Sequence, residues 1–158
     1  MSEPETVDLV IDHKLKRVTP EMIDWWWGTI SNTERYKLWH PKAHKLFESE
    51  GDLIFRVEEE IGGNLIKTRT RPETPSSIPV PTTYSHVFAM SVLDDNNKPQ
   101  SWIVHEYEAM PNGTRMRSTF RLPKGVPPIF TESLRKHNQE EMTHLAKILP
   151  ELYKKENK

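Results

Sequence analysis

From Leu53 to Leu122 the chain changes sides every second residue and breaks off at intervals in turn-forming residues, a pattern that points to strands joined by hairpins. Leu53, Phe55, Val57, Glu59 and Ile61 share one face, and Ile54, Arg56, Glu58 and Glu60 share the other. Gly62-Gly63 then reads as a tight turn into a strand over Leu65 to Arg71. Further strands are expected over Thr82 to Leu93, Ser101 to Ala109 and Thr114 to Leu122, the last two separated by Pro111-Asn112-Gly113. Asn112-Gly113-Thr114 is also a glycosylation sequon, but Asn-Gly between two strands is read first as a hairpin turn. The prolines of Pro72 to Pro81 make that stretch a loop.

Helices flank this meander. A strand-like stretch from Thr6 to Val18 leads into Thr19-Pro20-Glu21, where Thr supplies an N-cap, Pro fills the first helical position and the acid meets the positive end of the dipole. Met22, Trp25, Trp26 and Ile30 follow at helical spacing, and short helical segments are expected over Glu34 to Leu38 and Lys42 to Glu48. A long helix from about Phe130 to Leu149, continuing through Pro150, ends the chain. At 158 residues this is most simply one domain, 1–158, of α+β class, with a curved antiparallel sheet packed around the C-terminal helix and a cavity between them.

Composition excludes several chemistries. With no cysteine, disulfide frameworks, thiolate metal sites and cysteine nucleophiles are out, so any metal must be held by histidine and carboxylate. A formal charge of −1 leaves no electrostatic footprint for nucleic acid or an anionic membrane. No apolar run approaches the roughly 18 residues of a membrane span, and the N-terminus has neither the basic nor the apolar region of a signal peptide, so a cytoplasmic location is expected.

The chemistry converges on a few positions. Phe130, Leu134, Leu145, Ile148, Leu149 and Leu152 form one stripe of the last helix, and His137 and Glu141 interrupt it at i, i+4, a spacing that offers two ligands to one metal. A helix-surface His–Glu contact is the alternative. Glu59 lies on the apolar face of its strand, although a bulge near Gly62-Gly63 would turn Glu60 inward instead. His86 shares a face with Tyr84, Phe88 and Met90, and His105 with Ile103 and Tyr107; these read as cavity lining. In His40-Pro41-Lys42-Ala43-His44, one histidine can enter a cavity while the other caps the turn. Trp25-Trp26-Trp27 reads as core plus one interfacial ring.

Taken together, the WWW triplet, RYKLWHPKAH, the acid before Ile-Gly-Gly in EEIGG and His137-Asn-Gln-Glu-Glu141 resemble the 2,4-diacetylphloroglucinol hydrolase family. The resemblance runs from about Pro20 to Leu149. It implies a START-like helix-grip fold and a zinc ion held by two His and two Glu. It also implies hydrolysis of the carbon–carbon bond between an acyl group and a phenolic ring. On that match the ligands are His44, the strand acid (Glu59 by alternation), His137 and Glu141, and Tyr36 corresponds to a substrate-contacting tyrosine. His86 and Tyr107 are further catalytic candidates, and Tyr84, Phe88 and His105 candidate substrate contacts. Family members differ in carrying an additional N-terminal region and a longer stretch between the first His and the second ligand. The expected partner is a small aromatic ketone or phenol, with no nucleic acid or membrane and a homodimer as one option for assembly. The competing readings are a non-catalytic helix-grip module for a hydrophobic small molecule, and an iron(II) oxygenase using the same ligand types.

Overall fold

The computed structural model describes residues 5–158, so part of the polar start on which the compartment expectation rests lies outside the described residues. The elements run β1 (Thr6–Lys16), α1 (Pro20–Thr29), α2 (Thr33–Trp39), β2 (His44–Gly51), β3 (Ile54–Ile61), β4 (Asn64–Glu73), β5 (His86–Leu93), β6 (Pro99–Met110), β7 (Gly113–Pro123) and α3 (Pro128–Glu156). A single 3-10 turn, Pro75–Ser77, breaks the proline-rich loop.

All seven strands form one antiparallel sheet in the order β1-β7-β6-β5-β4-β3-β2. Every pairing from β2 to β7 is between sequence neighbours, as the turn signals require. Gly62 and Gly63 take φ of 61° and 82°, the left-handed backbone that a two-residue hairpin demands and that glycine adopts without steric cost. Only β1 breaks the meander, pairing along its whole length with β7 from Thr6↔Pro123 to Lys16↔Gly113.

The sheet curls around α3. Leu134, Leu145 and Leu149 are buried on the stripe expected from the sequence, Met142 is buried beside them, and the helix runs through Pro150 without ending. One core gathers Val18, Ile23, Trp26, Trp39, Leu145 and Leu149 beneath α1, and another gathers Leu9, Ile11, Ile61, Phe120 and Leu134 at the opposite end of α3. Truncating any of these leucines to alanine should cost about 2–5 kcal/mol. At the start of α1, Thr19 Oγ1 accepts from the Met22 amide at 3.2 Å, so the expected N-cap is formed. Among the described residues, no helix is long and apolar enough to cross a membrane.

One expectation is corrected here. Lys42–Glu48 is not helical: the chain makes a turn at His40, with the Ala43 and His44 amides donating to the His40 carbonyl, and enters β2. The segment contains good helix formers, but pairing with β3 satisfies its backbone, and tertiary pairing overrides a weak propensity.

Candidate metal centre and cavity

Two structural units supply the four candidate ligands. In the β2–β3 hairpin His44 is the direct cross-strand partner of Glu59, so one register fixes both side chains on the inward face. On α3, His137 and Glu141 lie one turn apart and both are buried. Where the sheet closes on the helix, His44 Nε2 lies 3.5 Å from Glu59 Oε2 and 3.1 Å from Glu141 Oε2. His137 Nε2 lies 3.3 Å and 3.2 Å from the same two oxygens. A tetrahedral zinc with bonds of about 2.0–2.1 Å spaces its ligands about 3.3–3.4 Å apart. The four distances fall around that edge length. His137 Nε2 is buried and, despite two carboxylate neighbours, makes no hydrogen bond. The cluster therefore fits a metal ion better than it fits a hydrogen-bonded quartet.

Its electrostatics point the same way. Burial alone would lower the basicity of His137, but the Glu141 and Glu59 carboxylates overcome it and push its pKa up to about 10. Burial alone would raise Glu141, yet the two imidazoles hold it well below the usual carboxylate range, and Glu59 is lowered by the same balance. Two ionised carboxylates at this depth call for positive charge between them, which a protonated His137 or a metal in its place supplies.

Neighbouring groups orient the ligands. His44 Nδ1 donates to the Tyr36 carbonyl at 2.9 Å, which leaves Nε2 bare toward the cluster. Tyr36 stacks on the same ring, and its hydroxyl donates to Glu59 Oε2 at 2.6 Å. Burial, then the charge of Glu59, raise the Tyr36 pKa well above its ordinary value, so the hydroxyl stays protonated. His40 stays local: its Nδ1 accepts from the Ala43 amide and its Nε2 meets Glu140 Oε1, each at 3.2 Å.

The cluster opens into a cavity of about 390 Å³ between sheet and helix. Trp27, Trp39, Phe47, Phe55, Phe88 and Phe120 bring aromatic rings to its wall, while Tyr36, Thr68, Thr70 and His105 bring polar atoms to it. A shallower groove of about 620 Å³, outside between α2 and the end of α3, holds none of the four candidate ligands.

Of the other sequence candidates, Phe88 and His105 line the cavity, and Tyr84, His86 and Tyr107 do not. Tyr107 and His86 point the expected way but lie beneath α1, where the Tyr107 hydroxyl donates to Asp24 and His86 Nδ1 approaches the same carboxylate at 2.9 Å. Tyr84 precedes β5, so strand alternation does not reach it; Glu106 accepts from its amide, and Arg115 and Arg117 lie over its ring. Trp27 is more than an interfacial ring, since it stacks on both Phe88 and His105 in the cavity wall. His13, Ser118 and Asn138 carry no role expected from the sequence. A signal for His13 was present: Leu9, Ile11, His13 and Leu15 alternate on one face of β1.

Known proteins resemble this chain in sequence and in fold. Residues 6–59 match the family model of the DAPG hydrolase PhiG domain, a stretch that includes Tyr36, His44 and Glu59. The chain is also 26% identical, over 180 aligned positions, to phloretin hydrolase of Eubacterium ramulus. These likenesses support a DAPG hydrolase-like family. The alignment takes in 88% of this chain but 64% of the relative, so the chain spans less than two thirds of that protein's length. Similar solved structures are Ara h 8.0201 (TM-score 0.64, 10% identity, covering 92% of this chain and 98% of that one) and the Aha1 dimer from Colwellia psychrerythraea (TM-score 0.61, 14% identity, 91% and 96%). At such identities these two describe the helix-grip fold alone.

Proposed function

We propose that this chain is a zinc-dependent hydrolase that cleaves the carbon–carbon bond between an acyl group and a phenolic ring. The observation that carries the proposal is the four-atom His44–Glu59–His137–Glu141 cluster opening onto an aromatic-walled cavity. The DAPG hydrolase and phloretin hydrolase likenesses supply the reaction class.

His44, Glu59, His137 and Glu141 would hold the ion. Bound there, zinc supplies a Lewis acid for a carbonyl oxygen and a water acidified toward neutral pH. The aromatic lining that includes Trp27, Phe88 and Phe120 takes the ring, and Tyr36 with His105 orients its oxygens. In the reaction the water oxygen joins the acyl carbon, and the bond to the ring breaks with its electron pair staying on the ring carbon. That carbon takes a proton, giving a carboxylate and the deacylated phenol. The attacking water supplies that proton, while His105, neutral near pH 7, and Tyr36, whose proton is engaged by Glu59, hold the substrate in place. His86 and Tyr107, held by Asp24 outside the cavity, are given no part in this step.

The test is metal analysis followed by incubation with phloretin and with diacetylphloroglucinol. One zinc per chain, release of the carboxylic acid and loss of turnover in a Glu141→Gln variant are expected. Iron with oxygen consumption would replace this reading with oxygenase chemistry, and ligand binding by a metal-free chain would replace it with a non-catalytic binding module.

A further inference from the structure

A line of hydrogen bonds, buried except at the half-buried His13, runs from Glu141 of the candidate metal centre to the cavity wall. Glu141 turns Oε2 to the cluster, and its other oxygen, Oε1, accepts from Asn138 Nδ2 at 2.9 Å. Asn138 Oδ1 lies 2.7 Å from His13 Nε2. The same nitrogen is 3.3 Å from Ser118 Oγ, which in turn lies 2.8 Å from His105 Nδ1. Asn138, Ser118 and His105 are at most 1% exposed, so bulk water does not satisfy their polar atoms.

The direction of each proton follows from the donor and acceptor inventory. A carboxylate only accepts, so the Asn138 amide nitrogen faces Glu141 and its oxygen faces His13. That oxygen only accepts, so His13 carries its proton on Nε2. Ser118 therefore cannot donate to His13; its hydroxyl proton goes to His105 Nδ1. With Nδ1 accepting, a neutral His105 bears its proton on Nε2. Both rings are neutral near pH 7, since burial lowers the His13 pKa and brings that of His105 to about 4.

We propose that Asn138, His13 and Ser118 are positioning residues: a one-way relay that keeps Glu141 to a single oxygen toward the metal and fixes His105 as a donor to whatever oxygen enters the cavity. The metal half rests on the function proposed above; the tautomer half stands without it.

Long-range proton–nitrogen spectra of the full chain labelled with 15N-histidine test the tautomers, and chelator competition tests the metal half. In wild type His13 and His105 should both carry the proton on Nε2, with the His13 proton protected from exchange. That protection should vanish in Asn138→Leu, and zinc affinity should fall 10–100-fold, as expected when an outer partner of a ligand is lost. His13→Leu should weaken zinc in the same direction, whereas His13→Gln, whose amide can donate to Asn138, should restore it. This pair keeps the test open if Asn138→Leu fails to fold. A proton on His105 Nδ1, or unchanged zinc affinity in both Asn138→Leu and His13→Leu, would overturn the relay. A wild type that takes no zinc sinks the hydrolase proposal instead, and the ring spectra still judge the relay.

Discussion

Tyr36 and His44 are joined twice: their rings lie face to face with centroids 3.8 Å apart and planes 4° from parallel, and the His44 Nδ1–H bonds the Tyr36 carbonyl. One residue thus sets both the plane and the tautomer of a candidate ligand. Tyr36→Phe keeps the stack and loses only the hydroxyl bond to Glu59. It should retain stoichiometric zinc while turnover falls about 10–100-fold, by the usual scale for outer-partner loss. Tyr36→Ala also removes the stack and should weaken zinc further, as read by chelator competition.

Removing His137 tests the helix as a ligand platform. His137→Ala should lose the metal while far-UV circular dichroism stays close to wild type, because the residue faces a cavity and not a packed core. Stoichiometric zinc in this variant would rule out α3 as a source of ligands.

His40→Ala should behave differently, although the two histidines stack with centroids 5.1 Å apart. It loses the turn bond from the Ala43 amide and the contact with Glu140. Stability should drop by about 1–2 kcal/mol, as for loss of a cap, with zinc retained. Loss of zinc here, with retention in His44→Ala, would reverse their roles.

His105 gives the fold a sensitivity to acid. Burial lowers its pKa from 6.5 to about 4, so between these values the unfolded chain takes up a proton that the native one does not. Its stabilising contribution is complete above pH 6.5 and is lost as pH falls toward 4, with a slope of at most about 1.4 kcal/mol per pH unit. Urea unfolding at several pH values should show a shallower slope over this range for His105→Gln than for wild type. Parallel slopes would show that His105 is not the group responsible.

The β3–β4 turn offers a purely structural check. Gly62 has a φ of 61°, and an added Cβ would lie 2.6 Å from Ser133 Oγ on α3. Gly62→Ala should therefore cost about 2 kcal/mol or more, combining backbone strain with a clash against the helix. Denaturant midpoints at constant m-value measure it.

What could be read from the sequence follows the range of the interactions that decide each element. The β3–β4 hairpin carries its own turn, Gly62-Gly63, and α1 carries its own cap, so both were legible locally. Glu59 could be preferred over Glu60 because alternation along β3 is undisturbed, and the structure has Glu59 inward and Glu60 exposed. β2 was not legible: its register shifts between His44 and Leu46, which breaks the period of two, and its hydrogen bonds come from a strand outside the local window. His44 was a ligand candidate through the resemblance, but the helical segment expected around it does not form. Tyr84 shows the opposite failure, where a pattern was extended past the end of a strand. Ser118 and Asn138 gave no signal, because their roles are defined by partners on β1, β6 and within the buried relay.

The pairing of β1 with β7, together with ligands drawn from the β2–β3 hairpin and α3, gives the molecule a late point of closure. His44 and Glu59 leave the ribosome well before His137 and Glu141, and the first strand finds no partner until residues 113–123 exist. Contacts of such sequence separation make folding slow relative to local hairpins. On the proposed function, metal uptake should accordingly be among the last events of maturation, and a nascent chain halted before α3 should show hairpin order in its middle but no capacity to retain an ion.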